Sequence, residues 1–243
     1  MIQPATPLPT IVDELIIDGY TQPGASANSH APGLGLGSDA VIKVAIDGSA
    51  IGSAPCLTLS VPGGFSVLAG LAIHDCQSPL LTTGPAGGGA NYALLGNYFG
   101  LRADGAASVA GSFRAHGGNV VIGDASAAGM NVFGGLNALE IDNPGDELRS
   151  VSIRGNLIGT APDGVAARPQ QYGVQIAAST SQVAFQIGGI SPDQRNVISG
   201  NVLDGVSLQC APSSSNCFDG SQLVGNYIGI AADGSPLGNG RDG

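Results

Sequence analysis

Along the chain, apolar side chains recur at every second position in short bursts: Leu57/Leu59, Leu71/Ile73, Leu139/Ile141, Val174/Ile176 and Val206/Leu208. Alternation at period two turns one face of a short extended segment inward. Helical periodicity is absent. Between the bursts lie clusters of Gly, Asn, Asp and Ser, the residues of tight turns. The pattern predicts many short strands and no long helix.

One segment occurs three times, as Gly96-Asn97-Tyr98-Phe99-Gly100, Gly155-Asn156-Leu157-Ile158-Gly159 and Gly225-Asn226-Tyr227-Ile228-Gly229. Each copy reaches an Asp-Gly pair at the same offset, at Asp104, Asp163 and Asp233. A second theme alternates with it: Ile122-Gly123 stands nine residues before Asn131-Val132-Phe133, as Ile187-Gly188 does before Asn196-Val197-Ile198. Such recurrence belongs to stacked repeats, in which each unit buries its apolar face only against its neighbours. Gly96 and Gly155 are 59 residues apart, Gly155 and Gly225 are 70 apart. A closed propeller needs blades of similar length, whereas an open coil absorbs an insertion in any turn. The expectation is therefore one all-β solenoid over residues 1–243, a parallel β-helix. At about three coils per unit and ~4.8 Å per stacked strand, it would be a rod of roughly ten coils and 50 Å.

Composition narrows the partners. Gly supplies 40 of 243 residues and charged residues only 11%, while 43% are apolar, which suits strands and turns and excludes simple disorder. A net charge of −10 disfavours wrapping a nucleic acid, whose phosphates need Lys and Arg. An acidic polysaccharide meets the same repulsion unless cations bridge it. No stretch approaches the ~20 apolar residues of a membrane span. The N-terminus lacks the basic start and apolar run of a signal peptide. Both ends stop abruptly, so the chain reads as a piece of something longer, whose exposed strand edges favour end-to-end self-association.

Cys56, Cys76, Cys210 and Cys217 contain no CxxC and no His at zinc-ligand spacing. Of the three possible disulfide connectivities, only Cys56 with Cys76 and Cys210 with Cys217 keeps both loops short. Buried free thiols are the alternative. Disulfides would place the chain in an oxidising compartment.

The Gly-Asn-Tyr-Ile-Gly and Asn-Val-Ile-Ser-Gly-Asn themes, with Asp18-Gly19-Tyr20-Thr21-Gln22-Pro23-Gly24 and Ile46-Asp47-Gly48, resemble bacterial right-handed parallel β-helix repeat proteins of the pectate-lyase-like fold. The resemblance runs from about Leu8 to Gly238. It implies a right-handed single-stranded parallel β-helix in a secreted or cell-surface protein, with extracellular polysaccharide or cell-surface components as partners. Members of that group usually carry further sequence before the Asp-Gly-Tyr-Thr-Gln-Pro-Gly element. The fold also hosts polysaccharide lyases and glycoside hydrolases, so an enzyme is the rival reading to a structural or adhesive module.

The residues themselves favour the module. Asn97, Asn156, Asn201 and Asn226 follow a Gly or sit at a strand bend, where an amide bonds neighbouring backbone and stacks into a ladder between coils. Asp104, Asp163 and Asp233 read as turn residues, too far apart along the rod to share an ion. His74-Asp75, Arg114-Ala115-His116 and Asp142 with Asp146-Glu147 are the only titratable clusters, each read as a solvated loop. Elimination needs a calcium site beside a basic side chain, hydrolysis needs two carboxyls about 5–10 Å apart, and neither set stands out. Tyr20, Tyr92, Tyr98, Tyr172 and Tyr227 are the available sugar-stacking rings, although the matched places of Tyr98 and Tyr227 suit packing better. There is no nucleophile elbow and no phosphate-binding glycine loop. No cofactor or metal is expected.

Overall fold

The computed structural model describes residues 1–84, 89–108, 110–143, 148–178, 182–211 and 216–242. Among these, helix is confined to two three-residue 3-10 turns, Gly19–Thr21 and Pro192–Gln194. Everything else regular is strand, arranged in three parallel sheets.

The first sheet holds Ile16–Asp18, Phe65–Ala69, Asn91–Leu95, Gly118–Ile122, Leu148–Ile153, Phe185–Gly188 and Gln222–Val224. The second holds Val44–Asp47, Leu71–His74, Tyr98–Phe99, Val132–Phe133, Leu157–Ile158, Val197–Ile198 and Tyr227–Ile228. The third holds Pro55–Leu59, Ser78–Thr82, Phe113–Ala115, Leu139–Asp142, Val174–Ala178 and Val206–Cys210. The chain visits the three in strict rotation. Every strand therefore pairs with the strand three elements before or after it, one circuit away.

The inward rows follow the period-two pattern. In the first sheet Leu68, Leu94, Ile122, Ile153, Ile187 and Leu223 lie in register. Leu94 and Ile153 are fully buried, but Leu223 is 42% exposed because no further circuit covers it among the described residues. In the second sheet Phe99 stacks on Phe133 with centroids 5.0 Å apart, and Phe113 of the third sheet meets both edge-on. Offset and edge-on contacts are the geometries aromatic quadrupoles favour.

Gly96 and Gly155 lie two circuits apart, as do Gly155 and Gly225, so the repeat unit is two coils and not three. The described stack is correspondingly shorter, seven rungs of roughly 4.8 Å, about 30 Å in all. The reason lies in the connections: residues 100–112 and 159–173 carry long turns that a count of strand pairs overlooks.

At the corner between the first and second sheets sits a ladder of five amides. Asn97 Nδ2 donates to Asn131, Asn131 to Asn156, Asn156 to Asn196 and Asn196 to Asn226. Each rung also donates its backbone N–H to the next rung's Oδ1. Glycines precede three of the five rungs, at Gly96, Gly155 and Gly225, and make room for the corner. Gly96 has φ +64°, and a Cβ there would lie 2.5 Å from Ala128 O. Asn201 belongs to a separate corner, where it donates to Asn239.

Outside the coil, a second core forms. The outward row of the second sheet is apolar at Ala72, Tyr98, Val132, Leu157 and Val197, and residues 22–43 run across it as a strap. Asn28 Nδ2 donates to Ala127 O, Ser38 N to Pro162 O, and Gly33 touches Pro192 so closely that a Cβ would lie 1.9 Å from its carbonyl. One segment thus fastens several circuits along the axis. Nothing in the strand pattern foretells it.

Candidate functional site

The outer face of the third sheet gathers a group of titratable side chains. Alternation in Leu139–Asp142 sends Leu139 and Ile141 inward, so Glu140 and Asp142 point outward. Register sets Glu140 beside Arg114 on one side and Gln175 on the other. Arg114 Nε stands 3.6 Å from Glu140 Oε2, and His116 Nε2 stands 3.3 Å from Glu140 Oε1. Partial burial pushes the Glu140 carboxyl up, but the hydrogen bond from His116, the Arg114 charge and the Ser112 hydroxyl outweigh it and hold the group below the usual carboxylate range. Asp142 accepts from the Asn143 N–H at 2.8 Å. Its sequence neighbours Asp146 and Glu147 lie outside the described residues.

Chemically this arrangement orients an imidazole and keeps a carboxylate charged. It does not hold Glu140 as an acid ready to give up a proton, which requires a raised pKa. Arg114, His116 and Asp142 are legible in the sequence as a candidate group, but as separate loops. The structure puts Arg114 and Asp142 on adjacent strands. Glu140, their central partner, shows only as the polar residue between Leu139 and Ile141, and pairing it with Arg114 requires the length of one circuit.

His74 is not in a solvated loop. It closes the strand Leu71–His74 at 2% exposure, with Nδ1 2.8 Å from Asp75 Oδ2. Asp75 has φ +55°, a left-handed conformation uncommon for a residue other than Gly. Burial pushes its carboxyl up, while the nearby Ser108 hydroxyl, the bond from His74 and the charge of Arg102 hold it low overall. Asp47 pairs in register with His74 on the preceding circuit. Donor atoms of Asp47, His74 and Asp75 all lie within 4.8 Å of one another.

Cys56 is joined to Cys76 and Cys210 to Cys217. The three turn acids are occupied locally: Asp104 accepts from Ala106 N, Asp163 from Val165 N and Ala166 N, and Asp233 from Ser235. Asn97 and Asn156 are buried in the ladder, and Asn226 ends its described part. Of the tyrosines, Tyr92 is buried and donates to Thr83 O, Tyr98 lies beneath the strap, and Tyr20 donates to Gly96 O. Tyr227 is covered by the Arg195 guanidinium, 4.2 Å from its ring centre. These four rings are packing elements and not an open row of platforms.

Set against known proteins, the chain matches no family, no curated protein and no solved structure.

Proposed function

We propose that the chain is a right-handed, single-stranded parallel β-helix serving as a rigid structural or adhesive module of a secreted or cell-surface protein. The observation that carries this reading is the amide ladder from Asn97 to Asn226, continuous over five circuits and buried for most of its length. A buried, fully bonded amide row fixes the spacing of the coils, and rigidity is what such a module contributes. Right-handedness follows from the strong preference of parallel strand crossovers for that hand. Two disulfides support export, because such bonds persist in oxidising compartments. Extracellular polysaccharide or cell-surface components are the partners this reading assigns.

A polysaccharide lyase or glycoside hydrolase is the second reading, favoured by one observation: Arg114, His116, Glu140 and Asp142 share a lateral face. Held ionised, Glu140 fits only the base or nucleophile of hydrolysis, and the protonated acid would have to come from another carboxyl. One experiment separates the two. The purified chain is incubated with a panel of neutral and acidic polysaccharides, and both retention on the polymer and release of reducing or unsaturated ends are measured. Retention without product is the expected result. Turnover that Glu140→Gln abolishes would replace the first reading with the second.

A further inference from the structure

We infer that Asp47, His74 and Asp75 form a binding site for a divalent first-row transition ion, of which Zn2+ is the representative. The donor atoms come from two adjacent circuits. Parallel pairing sets Asp47 beside His74, and the left-handed turn at Asp75 swings the next carboxylate back onto the imidazole. One donor from each residue lies within 4.8 Å of the others. Bonds of about 2.0–2.2 Å at a tetrahedral angle put two donors about 3.3–3.6 Å apart. Nδ1 of His74 and Oδ2 of Asp75 stand at 2.8 Å, so a small rotation of the Asp75 carboxylate opens the pair to that spacing. The ion takes the place of the hydrogen between them, the imidazole keeping its proton on Nε2, and Asp47 closes the third side.

Three further features fit a site and not a chance ion pair. The Cys56–Cys76 disulfide clamps it: a Cβ on Gly48 would lie 2.6 Å from Cys56 Sγ and 2.7 Å from Cys76 Sγ, so the turn after Asp47 and the turn after Asp75 are both pressed on the same bond. Ser108 is 8% exposed, and its Oγ makes no well-aligned hydrogen bond among the described residues although it faces the Asp75 carboxylate. That hydroxyl is placed to bind a water on the ion. A groove of about 440 Å3, lined by Ser49, Gly52, Asp75, Gln77, Gly111 and Asn137, gives entry at Asp75. One imidazole with two carboxylates selects a borderline metal over Ca2+ or Mg2+, which take oxygen donors.

Arg102 is the competing cation. Its Nη2 stands 3.7 Å from Asp75 Oδ2, but the side chain is 56% exposed and free to turn into solvent. The gate is thus built into the test. Zn2+ binding to the intact, disulfide-bonded chain is followed by titration calorimetry, with Co2+ absorption as a report of nitrogen and oxygen coordination. One saturable equivalent is expected, weakened at least ~10-fold by Asp47→Asn, in keeping with the loss of a ligand, and tightened several-fold by Arg102→Ala. Reduction of the disulfides is expected to weaken binding. Because His74 is buried, His74→Gln is informative only if its thermal unfolding matches the parent, and the two surface variants carry the test without it. Absence of saturable binding, unchanged affinity in Asp47→Asn, or loss of the ion on His116→Asn instead, would each overturn the assignment.

Discussion

Asn131 donates its side-chain amide to Asn156 at 2.9 Å, while its own Oδ1 accepts both the backbone N–H and the side-chain amide of Asn97 one circuit earlier. Each interior rung is thereby donor to one neighbour and acceptor to the other, and also donates to a backbone carbonyl across the corner, Leu94 O in this case. Removing one amide strands groups on both sides. Asn156→Ala leaves the buried Asn131 N–H without its acceptor, takes one of the acceptors of Asn131 Nδ2, and leaves Ile122 O with the Arg154 N–H alone. Buried unsatisfied groups cost about 1–3 kcal/mol each before relaxation, so a loss of roughly 3 kcal/mol is expected. Asn226→Ala, at the partly exposed end, should cost about 1 kcal/mol. Equal shifts of the two variants in urea denaturation would show that the ladder is not cooperative.

The strap tests a different kind of contact. A Cβ on Gly37 would lie 2.1 Å from Pro162 O and 2.4 Å from Asp163 C, and backbone atoms cannot turn aside as a flexible side chain does. Gly37→Ala should lift the strap from the second sheet while leaving the coils paired. The expected cost is that of overpacking, about 1–3 kcal/mol. The sharper readout is limited proteolysis: cleavage within residues 24–40 should accelerate in the variant while the remainder stays intact. Cleavage spread evenly over the chain would mean that the strap holds the coils in register and does not merely cover them.

How far the sequence carries is clearest at particular residues. Leu94, Ile153 and Leu223 are legible as equivalent because their flanking Gly-Asn pairs repeat, and they do share one row of the first sheet. The all-β, parallel character follows from the same signal. Asn131 and Asn196 begin the second theme, yet their membership in the same ladder as Asn97 requires knowing that two circuits separate Gly96 from Gly155. Coil count is illegible because long turns and extra coils add residues alike. Glu140 with Arg114, and Asp47 with His74, are likewise set by register between circuits, which no local pattern contains. The strap is the extreme case: Asn28 meets Ala127 across 99 residues.

The two disulfides should differ in weight. Cys56 and Cys76 are 20 residues apart, Cys210 and Cys217 only seven. Closing a longer loop removes more freedom from the unfolded chain. The double variant Cys56→Ser/Cys76→Ser should lose about 3 kcal/mol, and Cys210→Ser/Cys217→Ser about 2 kcal/mol on the same basis. Burial widens the gap, since Cys56 is 0% and Cys76 4% exposed. Denaturation of both variants under non-reducing conditions checks the order. A greater loss from the second pair would point to a native contact at the third sheet's end outweighing loop entropy.

Glu140 makes stability depend on acid in a way that can be isolated. Its carboxyl is held below the usual range by His116, Arg114 and Ser112 despite partial burial. In the unfolded chain the same group titrates near ~4.3. The folded state therefore binds this proton less readily, and the contribution of the charged carboxylate is complete above about pH 4.3 and lost as pH falls through the lower folded value. Asp75 and Asp204 are depressed as well, so the parent's acid sensitivity is a sum. The difference between parent and Glu140→Gln cancels the shared part. The variant should be less stable by about 1 kcal/mol near neutrality, the scale of a partly buried ion pair, and the gap should close as pH drops below about 4. Denaturation midpoints across this range measure it directly. A gap that stays constant with pH would mean that Glu140 stabilises the face through packing alone, with no contribution from its charge.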